Sequence, residues 1–190
     1  LRHAIEGARR DGSRTKPLKL FIPSMPAQKF QILEGFKKAF ETIPIERLPL
    51  EKAPFGTPLR RLDLGGLAVR FAPARHSLPG YALSIKGAGK LVFSGDTAWT
   101  EELVELASGA DLFLSEASGQ DQDAEYLKDT HLTARQAGEA ARQAGAGRLM
   151  LTHFWPEYEP GLLSEEAGES FGGPVLAARE GETYRVVPEL

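Results

Sequence analysis

From Leu91 to Trp155 the chain runs through one local pattern three times: an unbroken apolar run, a small hydroxyl, then a side chain able to bind metal or move a proton. The copies are Leu91-Val92-Phe93-Ser94-Gly95-Asp96, Leu112-Phe113-Leu114-Ser115-Glu116 and Leu149-Met150-Leu151-Thr152-His153. Short apolar runs without alternation predict strands buried on both faces. Between them the period changes. Thr100 can cap a helix with Glu101 and Glu102 in its first turn, favourable against the helix dipole, and Gly109 at its end. Leu103, Val104, Leu106 and Ala107 give that helix an apolar side. Thr133-Ala134-Arg135-Gln136 has the form of a capping box opening an alanine-rich helix that stops near Gly145. Strand, helix, strand, helix, strand predicts a layered α/β fold. Sites in open α/β sheets form at the carboxyl ends of strands, so Asp96, Glu116 and His153 are predicted on one edge.

The flanking pattern is less regular. Residues 1–10 read as the end of a helix, and Leu18–Ile22 as a strand stopped by Pro23 and Pro26. Residues 27–40 place Phe30, Leu33, Phe36 and Phe40 at helical spacing. Residues 41–58 hold four prolines and read as loop with room for one edge strand. Leu67–Ala72 and Tyr81–Ile85 read as strands, the second joined to Leu91 by a hairpin turn at Gly87-Ala88-Gly89-Lys90. That Gly-Lys pair lacks the spacing of a phosphate loop. Ser118–Asp123 reads as loop, without the glycine and closing glutamate of a calcium-binding EF-hand. A helix near residues 163–171 and strands at Val175–Ala178 and Thr183–Val187 complete the reading.

Composition narrows the class. With 190 residues and 42% hydrophobic positions, one domain with an ordinary core is expected and disorder is excluded. No apolar run approaches the roughly 18 residues of a membrane span, and a cytoplasmic location is expected. The chain has no cysteine, which excludes disulfides and thiolate ligands; any metal would be held by His, Asp or Glu. Net charge is −3 but uneven: residues 1–38 hold nine Lys/Arg against Glu6, Asp11 and Glu34, giving +6 there and −9 elsewhere. That basic stretch is either a solvated face or a surface that attracts anionic substrates.

Of the four histidines, His3 lies in the first helical stretch and is read as a non-ligand, whereas His76, His131 and His153 fall at element boundaries, as Asp96 does. Each alone has an ordinary explanation as a turn, cap or core residue. Their coincidence on one predicted edge points to a site. Arg75-His76-Ser77 followed by Gly80-Tyr81, Phe93-Ser94-Gly95-Asp96-Thr97, Thr130-His131-Leu132-Thr133-Ala134 and Leu151-Thr152-His153 resemble the later motifs of the metallo-β-lactamase superfamily, in its ribonuclease Z-like and phosphodiesterase-like branch.

The resemblance implies an α/β fold, the αββα sandwich, with a dinuclear metal site on one edge. It implies His76 as a terminal ligand of one metal, Asp96 as the bridging carboxylate, His153 as a ligand of the second metal, and His131 as the histidine placed near the leaving group. Glu116 falls where the branch carries His-Glu-Ala-Thr; here the stretch is Ser115-Glu116-Ala117-Ser118. Imidazole and carboxylate suit zinc, with manganese or iron as alternatives, and two ions can hold a hydroxide between them. The family's H-x-H-x-D-H motif is absent from the sequence, so residues 1–190 are expected to form a single, incomplete domain lacking the N-terminal portion of the fold. The interval between His76 and Asp96 also lacks the long basic arm of transfer-RNA-processing members. A small phosphodiester or related ester is therefore the expected substrate, with nucleic acid disfavoured. The alternatives are an arm-less nuclease and a non-catalytic descendant serving as a binding module. A homo-oligomer is expected, because an apolar face left by a missing sheet favours association.

Overall fold

Eight strands of the described residues form one mixed sheet, in the order Val175–Ala177, Leu149–Thr152, Leu112–Glu116, Lys90–Phe93, Tyr81–Lys86, Leu67–Pro73, Pro58–Leu64, Leu50–Lys52. The protein is described from a computed structural model, which covers residues 16–24, 40–52 and 56–188. The chain divides into two units, residues 1–48 and 49–190. In the first, β1 (Leu18–Ile22) pairs in parallel with β2 (Phe40–Pro44), Leu18 opposite Phe40. A 3-10 turn at Ile45–Arg47 follows, and Glu46 accepts from the Ser24 hydroxyl at 2.7 Å.

The second unit holds the sheet. β3 (Leu50–Lys52), β4 (Pro58–Leu64), β5 (Leu67–Pro73), β6 (Tyr81–Lys86) and β7 (Lys90–Phe93) run antiparallel. β8 (Leu112–Glu116), β9 (Leu149–Thr152) and β10 (Val175–Ala177) then continue from β7 in parallel. Each parallel step is bridged by a helix: α1 (Glu101–Ala107) between β7 and β8, α2 (Ala124–Leu127) and α3 (Ala134–Ala144) between β8 and β9, and α4 (Pro160–Phe171) between β9 and β10. This alternation brings the ends of β7, β8 and β9 side by side at one edge.

The helix ends form as their sequences dictate. The Thr100 side chain accepts from the Leu103 amide at 3.1 Å. Thr133 and Gln136 exchange both bonds of the capping box, at 3.2 and 3.0 Å, and Gly145 closes α3 in the left-handed conformation. The core lies where α1 and α3 meet the sheet: Ala72, Ala82, Val92 and Phe113 from the strands, Leu103, Leu106, Ala137 and Ala141 from the helices. Each large side chain buried there contributes about 1.5–3 kcal/mol. α3 and α4 touch backbone to backbone, and Gly138 is what allows it: a Cβ there would lie 2.2 Å from the Ala167 carbonyl oxygen.

Several expectations need correction. Phe40, read as the last turn of a helix, opens β2; the helix expected before it, and that expected at residues 1–10, lie outside the described residues. Residues 41–58 carry most of β2, all of β3 and the start of β4. Proline bounds these strands rather than preventing them: Pro44 closes β2 and Pro58 opens β4. The loop after Ser118 contains a 3-10 turn at Asp121–Asp123 leading into α2. α4 begins at Pro160, in its first turn, where proline is tolerated. Thr183–Val187 joins no ladder; this segment lies against Gly89 and accepts from Arg148 through the Arg185 carbonyl at 2.9 Å. β8 and β9 are buried throughout or nearly so, but on β7 only Val92 is fully buried, so that strand is covered on one face. Among the described residues, no helix is long and apolar enough to cross a membrane.

Candidate functional site

All five predicted site residues reach the same edge. Asp96 follows β7, Glu116 ends β8, His153 follows β9, His76 follows β5, and His131 stands two residues before the cap of α3. The His131 ring lies between the other two imidazoles, 5.0 Å from His76 and 5.4 Å from His153, centroid to centroid. His153 Nε2 is 3.7 Å from Asp96 Oδ2. Beneath them, Glu116 meets His131 Nδ1 with both oxygens, at 3.0 and 3.2 Å.

Local backbone geometry explains this convergence. Gly95 takes a positive φ of 58°, and a Cβ there would sit 3.3 Å from the Tyr81 carbonyl oxygen, so glycine lets the chain turn out of β7 and present Asp96. His153 also has φ 58°, the one non-glycine residue with positive φ among those described. An imidazole in the left-handed region at a strand end is an uncommon conformation, and functional sites are where such conformations concentrate.

Hydrogen bonds then tie the loops together. The Ser94 hydroxyl accepts from the Glu116 amide at 2.8 Å, joining the ends of β7 and β8. The Ala117 amide donates to Thr152 at 3.0 Å, and the Ser118 amide to Leu132 at 3.0 Å. The Ala98 amide donates to Arg75 at 2.8 Å, while the Arg75 amide donates to the Thr97 hydroxyl at 3.0 Å. Two residues absent from the sequence-based site list thus act in it: the Thr97 amide donates to Glu116 at 2.6 Å and the Ser118 hydroxyl at 2.9 Å. Thr97 stands in the Ser-Gly-Asp-Thr stretch already singled out, but a backbone donor leaves no mark on residue type. Ser118 closes the Ser-Glu-Ala-Ser stretch, and its hydroxyl was the available signal.

Electrostatically the site has an inner and an outer layer. Glu116 is 1% exposed and His131 17%, whereas Asp96 and His153 are 45% and 44% exposed. Burial pushes the Glu116 carboxyl up to about 7, against the Thr97 amide, the Ser118 hydroxyl, the charge of His153 and the Leu132 amide, which pull it down. Burial likewise pushes His131 below its ordinary value, with Asp96 pulling the other way. Both shifts favour neutral forms. A neutral acid donating to Nδ1, or a carboxylate accepting from Nδ1–H, satisfies the contact equally well.

His76, Asp96 and His153 are the residues able to hold an ion. Two ligands of a tetrahedral zinc bound at about 2.0–2.1 Å stand roughly 3.3 Å apart. The Asp96–His153 separation is close to that, and their exposure leaves them open to an incoming ion. Two imidazoles and a carboxylate fit zinc in kind. In number they fall short of two ions, since a catalytic zinc takes three protein ligands. Among the described residues no three such side chains converge closely enough to form a complete ion site.

The family described as "Beta-lactamase superfamily domain" matches residues 28–154. An uncharacterized protein of Mycobacterium leprae (strain TN) is 39% identical over 127 residues, which is 66% of this chain and 44% of that relative. A ribonuclease Z of Myxococcus xanthus (strain DK1622) is 42% identical over 100 residues, 51% of this chain and 33% of that enzyme. The chain therefore spans about half or less of these curated relatives' length. The crystal structure of the metallo-beta-lactamase fold protein YhfI from Bacillus subtilis superimposes with a TM-score of 0.77 at 25% identity, covering 95% of this chain and 69% of that one. With His76, His131, His153 and Asp96 gathered on the edge where β7 to β9 end, the chain belongs to the metallo-β-lactamase superfamily, in its ribonuclease Z-like branch.

Proposed function

We propose that this chain carries the proton-transfer half, and part of the ion-binding half, of a metal-dependent hydrolase that cleaves a small phosphodiester or related ester. The observation that carries the proposal is the contact of buried Glu116 with part-exposed His131, held at 3.0 Å with the His131 ring set between His76 and His153. Because Nδ1 is engaged by Glu116, Nε2 is the atom left to serve a reacting group. In the proposed step Nε2–H gives its proton to the departing alkoxide oxygen while Nδ1 takes the Glu116 proton. The ring remains neutral and Glu116 ends as a carboxylate, held by the Thr97 and Ser118 donors. Such proton transfer contributes about 10²–10⁴-fold.

His76, Asp96 and His153 would hold divalent ions, zinc by donor type with manganese or iron as alternatives. A bound ion supplies an acidified water and neutralises charge on the ester. Donors beyond these three are needed for two ions.

The interval between His76 and Asp96 is the β6–β7 hairpin, too short to form a long basic arm, which supports a small ester over transfer RNA. The 42% identity to a ribonuclease Z supports a second reading, an arm-less nuclease, whose RNA affinity would fall steeply with salt. The deciding experiment compares His131→Ala with wild type on phosphodiesters of poor and good leaving groups. Metal content should be unchanged. kcat/KM should fall about 10²–10⁴-fold for an alkyl leaving group and much less for p-nitrophenoxide, which needs no proton. Equal losses would rule out proton donation by His131.

A further inference from the structure

At the amino end of β7, the opposite end of that strand from Asp96, a cavity of about 310 Å³ opens beside α1. Arg70, Ser84, Lys90, Lys52, Glu51 and Glu105 supply its polar lining. Nothing in the reading of the histidine edge uses any of them.

Two features mark this cavity as built for a ligand. The first is Ser84, which lies in the middle of β6, is 1% exposed, and has a hydroxyl without a hydrogen-bond partner. A buried hydroxyl left unpaired is costly, and native structures rarely keep one without a reason. The second is the charge balance. Lys90 Nζ spends one of its three donors on the Ser108 carbonyl, at 2.6 Å. Arg70 is paired with Glu51 at 2.9 Å, and Glu51 also takes Arg61 at 3.2 Å, which Asp63 shares at 3.0 Å. Glu105 is buried and already engaged. Within the lining, the three cations Lys52, Arg70 and Lys90 outnumber the two carboxylates, Glu51 and Glu105. Burial, with Arg70 and Lys86 adding to it and Asp111 opposing, holds the Lys90 amine down at about 8. A nearby anion would reverse that effect.

We propose that this cavity binds a small oxyanion-bearing metabolite, its phosphate or carboxylate group accepting from Ser84 Oγ, Lys90 Nζ and Arg70. The Glu51 and Glu105 carboxylates in the lining limit the charge the site tolerates and favour a compact anion over an extended polyanion. The volume stands at the lower end of small-molecule sites, which run from about 300 to 1,000 Å³.

The test titrates the full chain with inorganic phosphate and, separately, with acetate, by calorimetry. In parallel, the reactivity of the Lys90 amine is followed by limited acylation and mass analysis. Saturable binding of either anion with protection of Lys90 is expected, and whichever anion binds more tightly names the group recognised. Ser84→Ala should weaken binding by about tenfold, the size of one lost hydrogen bond to a charged group. Ser84→Val, which puts methyl groups in the anion's place, should abolish it. His153→Ala should bind as wild type does. Absence of saturable binding to the wild-type chain at millimolar anion would overturn the proposal. So would binding that survives Ser84→Val but is lost in His153→Ala, which would place the anion at the histidine edge. Because the readout is binding rather than hydrolysis, failure here leaves the hydrolase reading standing, and the reverse also holds.

Discussion

Replacing Glu116 with glutamine should make this protein more stable at pH 8 and less active at any pH. Glu116 is fully buried, and its carboxyl is raised from an ordinary 4.5 to about 7. A folded-state pKa above the unfolded value means that the folded chain binds the extra proton between pH 4.5 and 7. The stability this contributes is fully present below 4.5 and lost as pH rises through 7. At about 1.4 kcal/mol per unit, the loss is on the order of 3 kcal/mol. Glutamine has nearly the same shape and does not titrate. Its oxygen can accept from the Thr97 amide where Oε1 does now, and its amide can donate to the Ser118 oxygen, so both present contacts have a counterpart.

Urea denaturation of wild type and Glu116→Gln across pH 5 to 8.5 measures the difference directly. The two should be within about 1 kcal/mol at pH 5, with the variant the more stable by on the order of 2–3 kcal/mol at pH 8. The lowered His131 pKa also makes stability depend on pH, in the opposite sense, but it is common to both proteins and cancels to first order in their difference. Hydrolysis of an alkyl ester should fall together with the gain in stability, because glutamine cannot pass a proton to Nδ1. A difference that does not change with pH, or a variant less stable than wild type at pH 8, would show that Glu116 is not a buried acid with a raised pKa.

Other perturbations test the packing and the second cavity. Gly138→Ala should destabilise despite the better helix propensity of alanine, about 1 kcal/mol, because its Cβ would meet the Ala167 carbonyl at 2.2 Å and overpacking costs about 1–3 kcal/mol. Gly161→Ala in α4 meets nothing within 4 Å and should be neutral or stabilising, so chemical denaturation of the pair separates propensity from contact. Lys90 is held at about 8, below its ordinary 10.5, so the folded chain sheds that proton first and stability should rise between pH 8 and 10.5. Lys90→Met should flatten that rise in denaturation midpoints, and a rise of equal size in the variant would assign it to other groups.

How much of this could be read from the sequence depended on whether a feature was local. β8 and β9 are legible because both faces are buried, which forces continuous apolar runs such as Leu112-Phe113-Leu114 and Leu149-Met150-Leu151. The capping box at Thr133–Gln136 is legible because both partners lie within one turn. β4 left no such mark. Its Arg61 is paired across the sheet with Glu51 and within the strand with Asp63, so a strand that reads as charged is stabilised by ion pairs that hydrophobic periodicity does not register. The meeting of Glu116 and His131 was likewise beyond periodicity, since it depends on the Ser118 amide holding the Leu132 carbonyl across a loop. Lys90 was read as the end of a hairpin turn. That is correct for the backbone, and it hides that the side chain lies along a cavity on the helix side.

The division of the edge into two layers follows from where the backbone bonds are spent. β8 is the strand between β7 and β9, so its last residue is flanked by the ends of both neighbours, and Glu116 is buried by the loops on either side. Those loops can close over a carboxyl only because they supply donors to it: Thr97 from the β7 side and Ser118 from beyond β8 itself. The chain turns outward at Gly95 after β7 and at His153 after β9, and the positive φ at both positions accompanies the half-exposed placement of Asp96 and His153. One set of strand ends therefore places Glu116 out of water beside His131, and the side chains proposed to hold ions nearer the surface. The inner pair is positioned by hydrogen bonds that exist without any ion. The outer side chains, half exposed and held by little else, are the part whose geometry an ion would complete.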